Sequence, residues 1–503
     1  MELVLKKIVL ALSGEILITK SIALRDLLHP EATLSYLHRF LLMRSLYYFP
    51  VYVLLSSCVL GPQPGAPDTL LPSSIRGDSA PHGLSFGDKS WRKVFTDATL
   101  RSLIERAIAN NPDLTAATYR IEIARAQANS ARADWFPTLN GSSGGTANYA
   151  SLNAGQIAPG ADRTSESYDL SALLSWEIDL WGGIRRSNEA ARANLLAAEY
   201  QRDAVQTSLV AAMAAAYIEL KNLDERLSIS KRTAESRQAS LKLVTDRRVG
   251  GVSSDLEVGQ AEALLGQARV AIPVTEQAIA AKENEIRALL GDYPGSVART
   301  GSLSNLDDSL YIKGGLPSSL LQRRPDLAAA DQAYRSAVAQ IGVAEALRLP
   351  SLSLTGSGGL LSRDLDNLLE GKSGIYSVGP RLVGPIFDAG RGKARSDAAK
   401  AQASEALANH ERAAKQAFRE AADSINSHLK TGQISKELTS LVDSNRKVAT
   451  VANDRFQGGA SSYLEVLDAE RSLFNSELEL ADARRDRLLS VVRAYRALGG
   501  GWK

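Results

Sequence analysis

A chain that carries the same landmarks twice at the same intervals folds as two copies of one unit, and this sequence is built that way. Asn111-Pro-Asp-Leu114 opens a helical stretch that closes at Trp135-Phe-Pro-Thr-Leu139. Arg324-Pro-Asp-Leu327 opens another that closes at Leu349-Pro-Ser-Leu352. Pro112 to Pro137 and Pro325 to Pro350 are both 25 positions. Further on, Val249-Gly-Gly-Val-Ser-Ser-Asp-Leu-Glu-Val258 matches Gln457-Gly-Gly-Ala-Ser-Ser-Tyr-Leu-Glu-Val466. Gly182 to Gly250 and Gly390 to Gly458 both span 68 positions. Each copy reads helix, two strand-like segments, very long helix, glycine turn, shorter helix. The expected division is a first repeat over 97–291, a linker over 292–323, a second repeat over 324–498 and a short tail over 499–503.

The long helices exclude a compact core. Between Arg186 and Arg248 there is no proline or glycine, and between Lys393 and Arg455 only Gly432 intervenes. About 63 residues at ~1.5 Å each make a rod of roughly 95 Å. Aromatics are only 6% of the 503 residues, which suits thin layers rather than a thick core. Small residues recur at helical spacing (Ala190, Ala193, Ala197, Ala204, Ala211, Ala214, then Ala399, Ala403, Ala406, Ala413, Ala417), so neighbouring helices can pack closely. His410 falls in the second stripe and reads as a packed seam histidine. The shorter helices, 113–135 and 254–290, together match one long helix in length, and Pro273 predicts a kink in the lower one.

Between the helices lie four strand-like segments, near 137–147, 167–181, 350–361 and 375–387. Tyr168, Leu170, Ala172, Leu174, Trp176, Ile178 and Leu180 alternate with Asp169, Ser171, Ser175, Glu177 and Asp179, with Leu173 the one exception. Segments of about ten residues with one apolar face suit a tilted transmembrane β-barrel. Four strands cannot close such a barrel, for which about eight is the minimum, and open edges are not tolerated in lipid. The chain must therefore assemble with copies of itself, two giving eight strands and three giving twelve.

The N-terminus points to export. Met43-Arg44 precedes the apolar run 46–55, and Ser56-Ser57-Cys58 follows, a pattern of positive start, apolar stretch and small residues before a cut. Residues 43–57 read as a lipoprotein signal with Cys58 as the lipidated residue. Residues 1–42 fit no signal and read as an extension upstream of a start at Met43. Residues 58–96 form the expected tether, rich in Pro, Gly, Ser and Asp over 61–90. Cys58 is the only cysteine, which excludes a disulfide framework. The five histidines are not paired at metal-ligand spacing, so no metal site is expected. With 59 basic against 56 acidic residues, bulk charge does not suit a nucleic-acid binder. Gly141-Ser-Ser-Gly-Gly145 fits G-x-S-x-G but ends a strand segment, as does Gly356-Ser-Gly-Gly359, and neither sits on a nucleophile elbow. Gly371-Lys-Ser373 lacks the first glycine of a phosphate loop, Asp366 standing in its place. An enzyme is not expected.

Taken together, these residues resemble the TolC-like outer-membrane efflux proteins, in their lipoprotein branch. The carriers are Arg323-Arg-Pro-Asp-Leu327, Gln340-Ile-Gly-Val343, Pro350-Ser-Leu-Ser-Leu-Thr355, Gly379-Pro380, Pro385-Ile-Phe-Asp-Ala-Gly-Arg391 and Tyr463-Leu-Glu-Val-Leu-Asp-Ala-Glu-Arg471. Trp91-Arg-Lys-Val-Phe95 with Asp97, Leu100 and Asn111 matches the family's entry segment. The resemblance covers about Cys58 to Leu498. It implies a mainly α fold with a homotrimeric twelve-stranded transmembrane β-barrel, four strands per chain, above an α-helical periplasmic barrel. It implies a passive conduit in the outer membrane, in contact with its lipid and docked to a periplasmic adaptor and an inner-membrane RND-type pump. That pump supplies the energy, so no cofactor is expected here. The glycine turns Val249-Gly250-Gly251 and Gln457-Gly458-Gly459 would meet the adaptor, and Leu464, Glu465, Asp468 and Arg471 would form the gate. Phe456 and Ser461 stand where the TolC pattern has tyrosine and arginine, which favours a gate of apolar and carboxylate rings. The competing expectation is a lipid-anchored periplasmic coiled-coil scaffold that conducts nothing. The alternating strands speak against it.

Overall fold

The computed structural model describes residues 59–63, 65, 76, 86–154, 160, 162–299, 301–303, 306, 312, 320, 323–500 and 502. Cys58, the signal-like run and the upstream extension lie outside the described residues. The chain divides into two compact units, one carrying the strands (Leu139–Gly183 with Leu349–Gly384) and one carrying the helices (Gly61–Thr138, Ile184–Arg348, Pro385–Lys503).

The helices repeat in length as well as in order. After a single turn at Trp91–Val94 come α1 (Ala98–Asn110) and α2 (Pro112–Ala133). The first long helix is α3 (Gly183–Val249), followed by α4 (Asp255–Leu289). The second copy supplies α5 (Pro325–Ala346), α6 (Arg391–Gln457) and α7 (Tyr463–Ala497). The pairs α2 and α5 have 22 residues each, α3 and α6 have 67, and α4 and α7 have 35. A 67-residue helix is about 100 Å long. The helix α4 runs through Pro273 as one element. No helix among the described residues is long and apolar enough to cross a membrane.

Each copy is fastened at the same place. Asn111 caps α2, its Oδ1 accepting from the backbone N–H of Asp113 (3.0 Å) and Leu114 (3.1 Å), and its Nδ2 donates to the Leu289 carbonyl at 3.0 Å. In the second copy the equivalent position is Arg324. It donates to the Ala497 carbonyl (3.3 Å), forks onto Asp326 (3.0 and 2.7 Å) and reaches Glu420 on α6 at 2.8 Å. In both copies, then, a side chain at the start of the short helix satisfies an orphan carbonyl at the end of the last helix.

Packing follows the small-residue stripes. Ala190, Ala193, Ala197, Ala211, Ala214, Ala399, Ala403 and Ala417 are buried, and so is His410. The helix α6 packs along α7 and α5. Polar bonds tie α3 to α7, as from Asn222 to Asp482 (2.9 Å), and tie α3 to α4, as from Arg269 to Gln238 (2.6 Å). The largest apolar cluster sits around the middle of the long helices, where Met213, Tyr217, Leu220, Ile286 and Val492 meet Phe86, Trp91, Phe95 and Ile104. Tyr495 stands edge-on to Phe86 (6.0 Å) and Phe95 (5.9 Å) and donates its hydroxyl to the Lys89 carbonyl at 2.8 Å.

The strands form one sheet in the order β1 (Thr138–Tyr149), β2 (Thr164–Ile178), β3 (Ser351–Ser362), β4 (Gly374–Val383). The β2–β3 and β3–β4 pairs are antiparallel. Leu174 lies opposite Gly356 and Gly356 opposite Val378; Trp176, Leu354 and Pro380 form the next such row. The register therefore gathers most apolar residues of these three strands on one face and most hydroxyl residues on the other, with Leu173, Leu361, Ile375 and Val383 on the hydroxyl face. On the polar face Ser142 meets Ser171 (2.9 Å) and Ser357 meets Ser377 (2.8 Å). Three strand ends differ from the expected spans by three residues or more: β2 starts early, at Thr164, and β2 and β4 both stop early. Pairing in β2 stops at Ile178, where a tight turn starts and the Trp181 indole donates instead to the Pro350 carbonyl at 2.7 Å. Pairing in β4 stops at Val383, since Gly384 closes onto Pro350 and Pro385 has no N–H to give. Gly141–Gly145 lies inside β1, and Gly371–Ser373 is a short 3₁₀ turn.

The Arg324 cluster gives a prediction with a sign. Burial opposes the charge on Asp326 and on Glu420, but Arg324 outweighs it and holds both carboxyls below their usual range. Carboxylates with depressed folded values add stability above their unfolded pKa of about 4, and that stability is lost as pH falls through the folded value. Arg324→Met is expected to cost about 1–3 kcal/mol at neutral pH, because it leaves two partly exposed acids without their partner and the Ala497 carbonyl without its donor. In urea titrations the penalty should shrink as the pH drops through about 5 to 3.

Candidate functional site: the two glycine turns and the helix face beyond them

Both long helices end in the same hydrogen-bonded cap. At the first turn the N–H of Gly251 donates to the Arg248 carbonyl (2.9 Å) and that of Val252 to Arg247 (2.9 Å). At the second, Gly459 donates to Phe456 (3.0 Å) and Ala460 to Arg455 (2.8 Å). This is a Schellman cap, which needs a left-handed residue after the helix. Gly251 and Gly459 supply it, at φ +77° and +73°, a region costly for residues with a Cβ.

The two turns lie beside one another. Arg247 donates to the Phe456 carbonyl at 3.0 Å, and its guanidinium lies 4.6 Å from the Phe456 ring. Phe456 in turn stands edge-on to Tyr463 at 5.3 Å. A small core of Val244, Ala261, Ala449, Ala452, Val466 and Ala469 backs this contact. Burial, reinforced by Glu470, pushes the Tyr463 phenol up to about 12, so it stays neutral.

The expected site residues are all on the surface of the protomer. Val249, Gly250, Gly251, Gln457, Gly458 and Gly459 are exposed at the turns. Val249 is 82% and Val252 69% exposed, an apolar tip facing solvent. Leu464, Asp468 and Arg471 recur at four- and three-residue spacing and make one exposed stripe on α7, with Glu465 beside it. Arg471 donates to Asp468 at 2.8 Å, and Glu465 faces Arg455 at 3.7 Å. Both pairs are solvated in the protomer, where such pairs contribute little to stability.

The duplication itself marks these residues. Position for position, Leu464 matches Leu256, but Asp468 matches Gln260 and Arg471 matches Ala263. Glu465 matches Glu257, which caps α4 by accepting from the Ser254 backbone N–H at 2.7 Å. In the second copy Ser462 makes no such cap, and Glu465 turns to Arg455 instead. The tip is thus one place where the two copies carry different charges, as the Asn111 and Arg324 positions are another. Arg247, which ties the turns together, had no signal in sequence beyond its match with Arg455. Among the described residues no group of His, Cys, Asp and Glu is arranged to hold a metal ion.

The outer membrane efflux protein family matches residues 103–292 and 316–500, one segment in each copy. The chain belongs to that family. It is 34% identical over 454 residues to the outer membrane protein OprJ of Pseudomonas aeruginosa, covering 89% of this chain and 94% of that one. It is 32% identical over 467 residues to the cation efflux system protein CusC of Escherichia coli, covering 90% of this chain and 98% of that one. Among solved structures it superposes on the outer-membrane channel OprN with a TM-score of 0.83 and 31% identity, over 88% of this chain and 100% of the other. This efflux protein is therefore an outer-membrane channel component, not an enzyme.

The tie between the turns can be tested locally. Arg247→Ala removes the contacts with the Phe456 carbonyl (3.0 Å) and the Gln457 carbonyl (3.4 Å) and the contact with the Phe456 ring. It is expected to weaken hydrogen-exchange protection at 249–253 and 457–461 by about 1–3 kcal/mol. Protection of the central cluster around Met213 and Tyr217 should stay unchanged.

Proposed function

We propose that this efflux protein works as a homotrimeric passive conduit whose gate is the α7 stripe of Leu464, Glu465, Asp468 and Arg471. The observation that carries the reading is that stripe: exposed in one chain, unbalanced between the copies, and a ring when repeated around a three-fold axis. Three copies give twelve strands, enough to close the sheet edges that one chain leaves open. Uncovered apolar stripes on two different helices support the assembly. Ile434, Leu441 and Val448 recur at heptad spacing on α6, and Leu256 and Val270 on α4 with Ala263 between them. Two unlike stripes that meet head to tail make a heterologous contact, which closes as a ring when each step rotates by a third of a turn.

The remaining assignments belong to the same reading. Cys58 is the lipid anchor in the outer membrane, after a signal over 43–57. The turns Val249-Gly250-Gly251 and Gln457-Gly458-Gly459 receive a periplasmic adaptor that links the channel to an inner-membrane RND-type pump. The apolar tip at Val249 and Val252 suits such a partner, since a cluster of exposed valines is stabilised when covered.

The gate assignment predicts ion selectivity. In planar bilayers with a KCl gradient, Asp468→Asn leaves Arg471 unbalanced and is expected to shift the reversal potential toward anions. Arg471→Gln should shift it toward cations, and both shifts should shrink above ~1 M salt, where the screening length is about 3 Å. Unchanged reversal potentials in both variants would remove these residues from the conducting path. Cys58→Ser should leave the barrel inserted but abolish incorporation of radiolabelled palmitate.

A further inference from the structure

Behind the exposed stripe, the opposite face of α7 carries a charge with no part in the gate ring. Glu470 sits between Asp468 and Arg471 in sequence, yet it is only 9% exposed. Its Oε1 accepts two long hydrogen bonds, from Ser240 on α3 (3.3 Å) and from Asn453 on α6 (3.4 Å), and its Oε2 has no partner. Arg237, nearly a turn from Ser240 on α3, is 1% exposed. Its Nη1 donates to the Leu264 carbonyl at 2.7 Å and its guanidinium lies 4.9 Å from the Phe474 ring. Its Nε and Nη2 have no partner.

The two groups complement each other. Ser240 meets Glu470 while Arg237 meets Phe474, four residues on, so the charges lie about one turn apart along the same helix pair. One has a free acceptor and the other has two free donors, both withdrawn from water. Burial pulls the Arg237 pKa down, and the neighbouring Glu470 carboxylate pulls it back up. Buried charges with unmet hydrogen bonds favour any arrangement that joins them.

Resting on the gate reading above, we propose that Arg237 and Glu470 are a positioning pair for the gate. The arrangement described holds them apart. In the second state of the tip Glu470 leaves Ser240 and Asn453 and takes the free N–H groups of Arg237. Because Leu464, Asp468, Glu470 and Arg471 share two turns of one rigid helix, moving Glu470 along α3 moves the whole stripe. The ion pair thus sets how long the gate spends in each state while touching nothing that passes through.

The test is a double-mutant cycle on gating in planar bilayers, using Glu470→Gln, Arg237→Met and the double variant, each purified at the wild-type assembly size. Each single substitution is expected to change the ratio of open to closed dwell time about tenfold in the same direction, with no further change in the double, as for residues that act through one contact. Arg237→Lys, which keeps a donor and a charge, should bring the ratio back toward wild type. If Arg237→Met does not assemble, Glu470→Gln and Arg237→Lys decide alone. An unchanged dwell ratio in Glu470→Gln, or single effects that add in the double, overturns the pair. If that happens while Asp468→Asn still shifts ion selectivity, the gate stands without it; if no preparation conducts, gate and pair fall together.

Discussion

Lipid offers nothing to the N–H and C=O groups along the edge of a β-sheet, and each such group left unpaired there costs several kcal/mol. This chain presents four paired strands with β1 and β4 at the edges and an apolar face running across β2, β3 and β4. A sheet of that kind in an outer-membrane protein has to close with strands from other chains. Assembly is therefore a condition of the fold. It also explains why a family of channels can be built from a chain whose four strands are too few to close a barrel.

The helical unit shows the same dependence in another form. Its seams run on alanine, which lets helices approach but buries little area per residue, and its largest apolar cluster sits at the middle with a small core at the turns. Directed polar contacts fasten the rest. Asn111 and Arg324 close the two copies at equivalent carbonyls beside the middle of the long helices, and Arg247 ties the turns at their ends. Between those fastenings α6 and α4 keep exposed apolar stripes, in register for a neighbour. The protomer is stable where it is fastened and incomplete where it is striped.

Much of this was legible in sequence, for reasons that can be named. Period-two alternation from Tyr168 to Ile178 survives in the register because a one-residue slip would turn every apolar side chain to the wrong face. Proline-free stretches, interrupted by no glycine but Gly432, gave both long helices, and the matched glycines gave both caps. What escaped depends on contacts distant in sequence. Asp179 to Trp181 continue the alternation, yet the Trp181 indole is drawn to the Pro350 carbonyl and the ladder ends. Arg237 and Glu470 look like any other charges on amphipathic helices. Only packing shows that they are buried, facing and half satisfied.

The central claim is that the open sheet of one chain is closed by two others. The most direct test is the mass of the particle extracted from outer membranes in mild detergent, by light scattering corrected for bound detergent. Three chains per particle is the predicted result, giving twelve strands and a closed barrel. A single chain in the membrane-extracted particle would leave β1 and β4 open in lipid and would contradict the account.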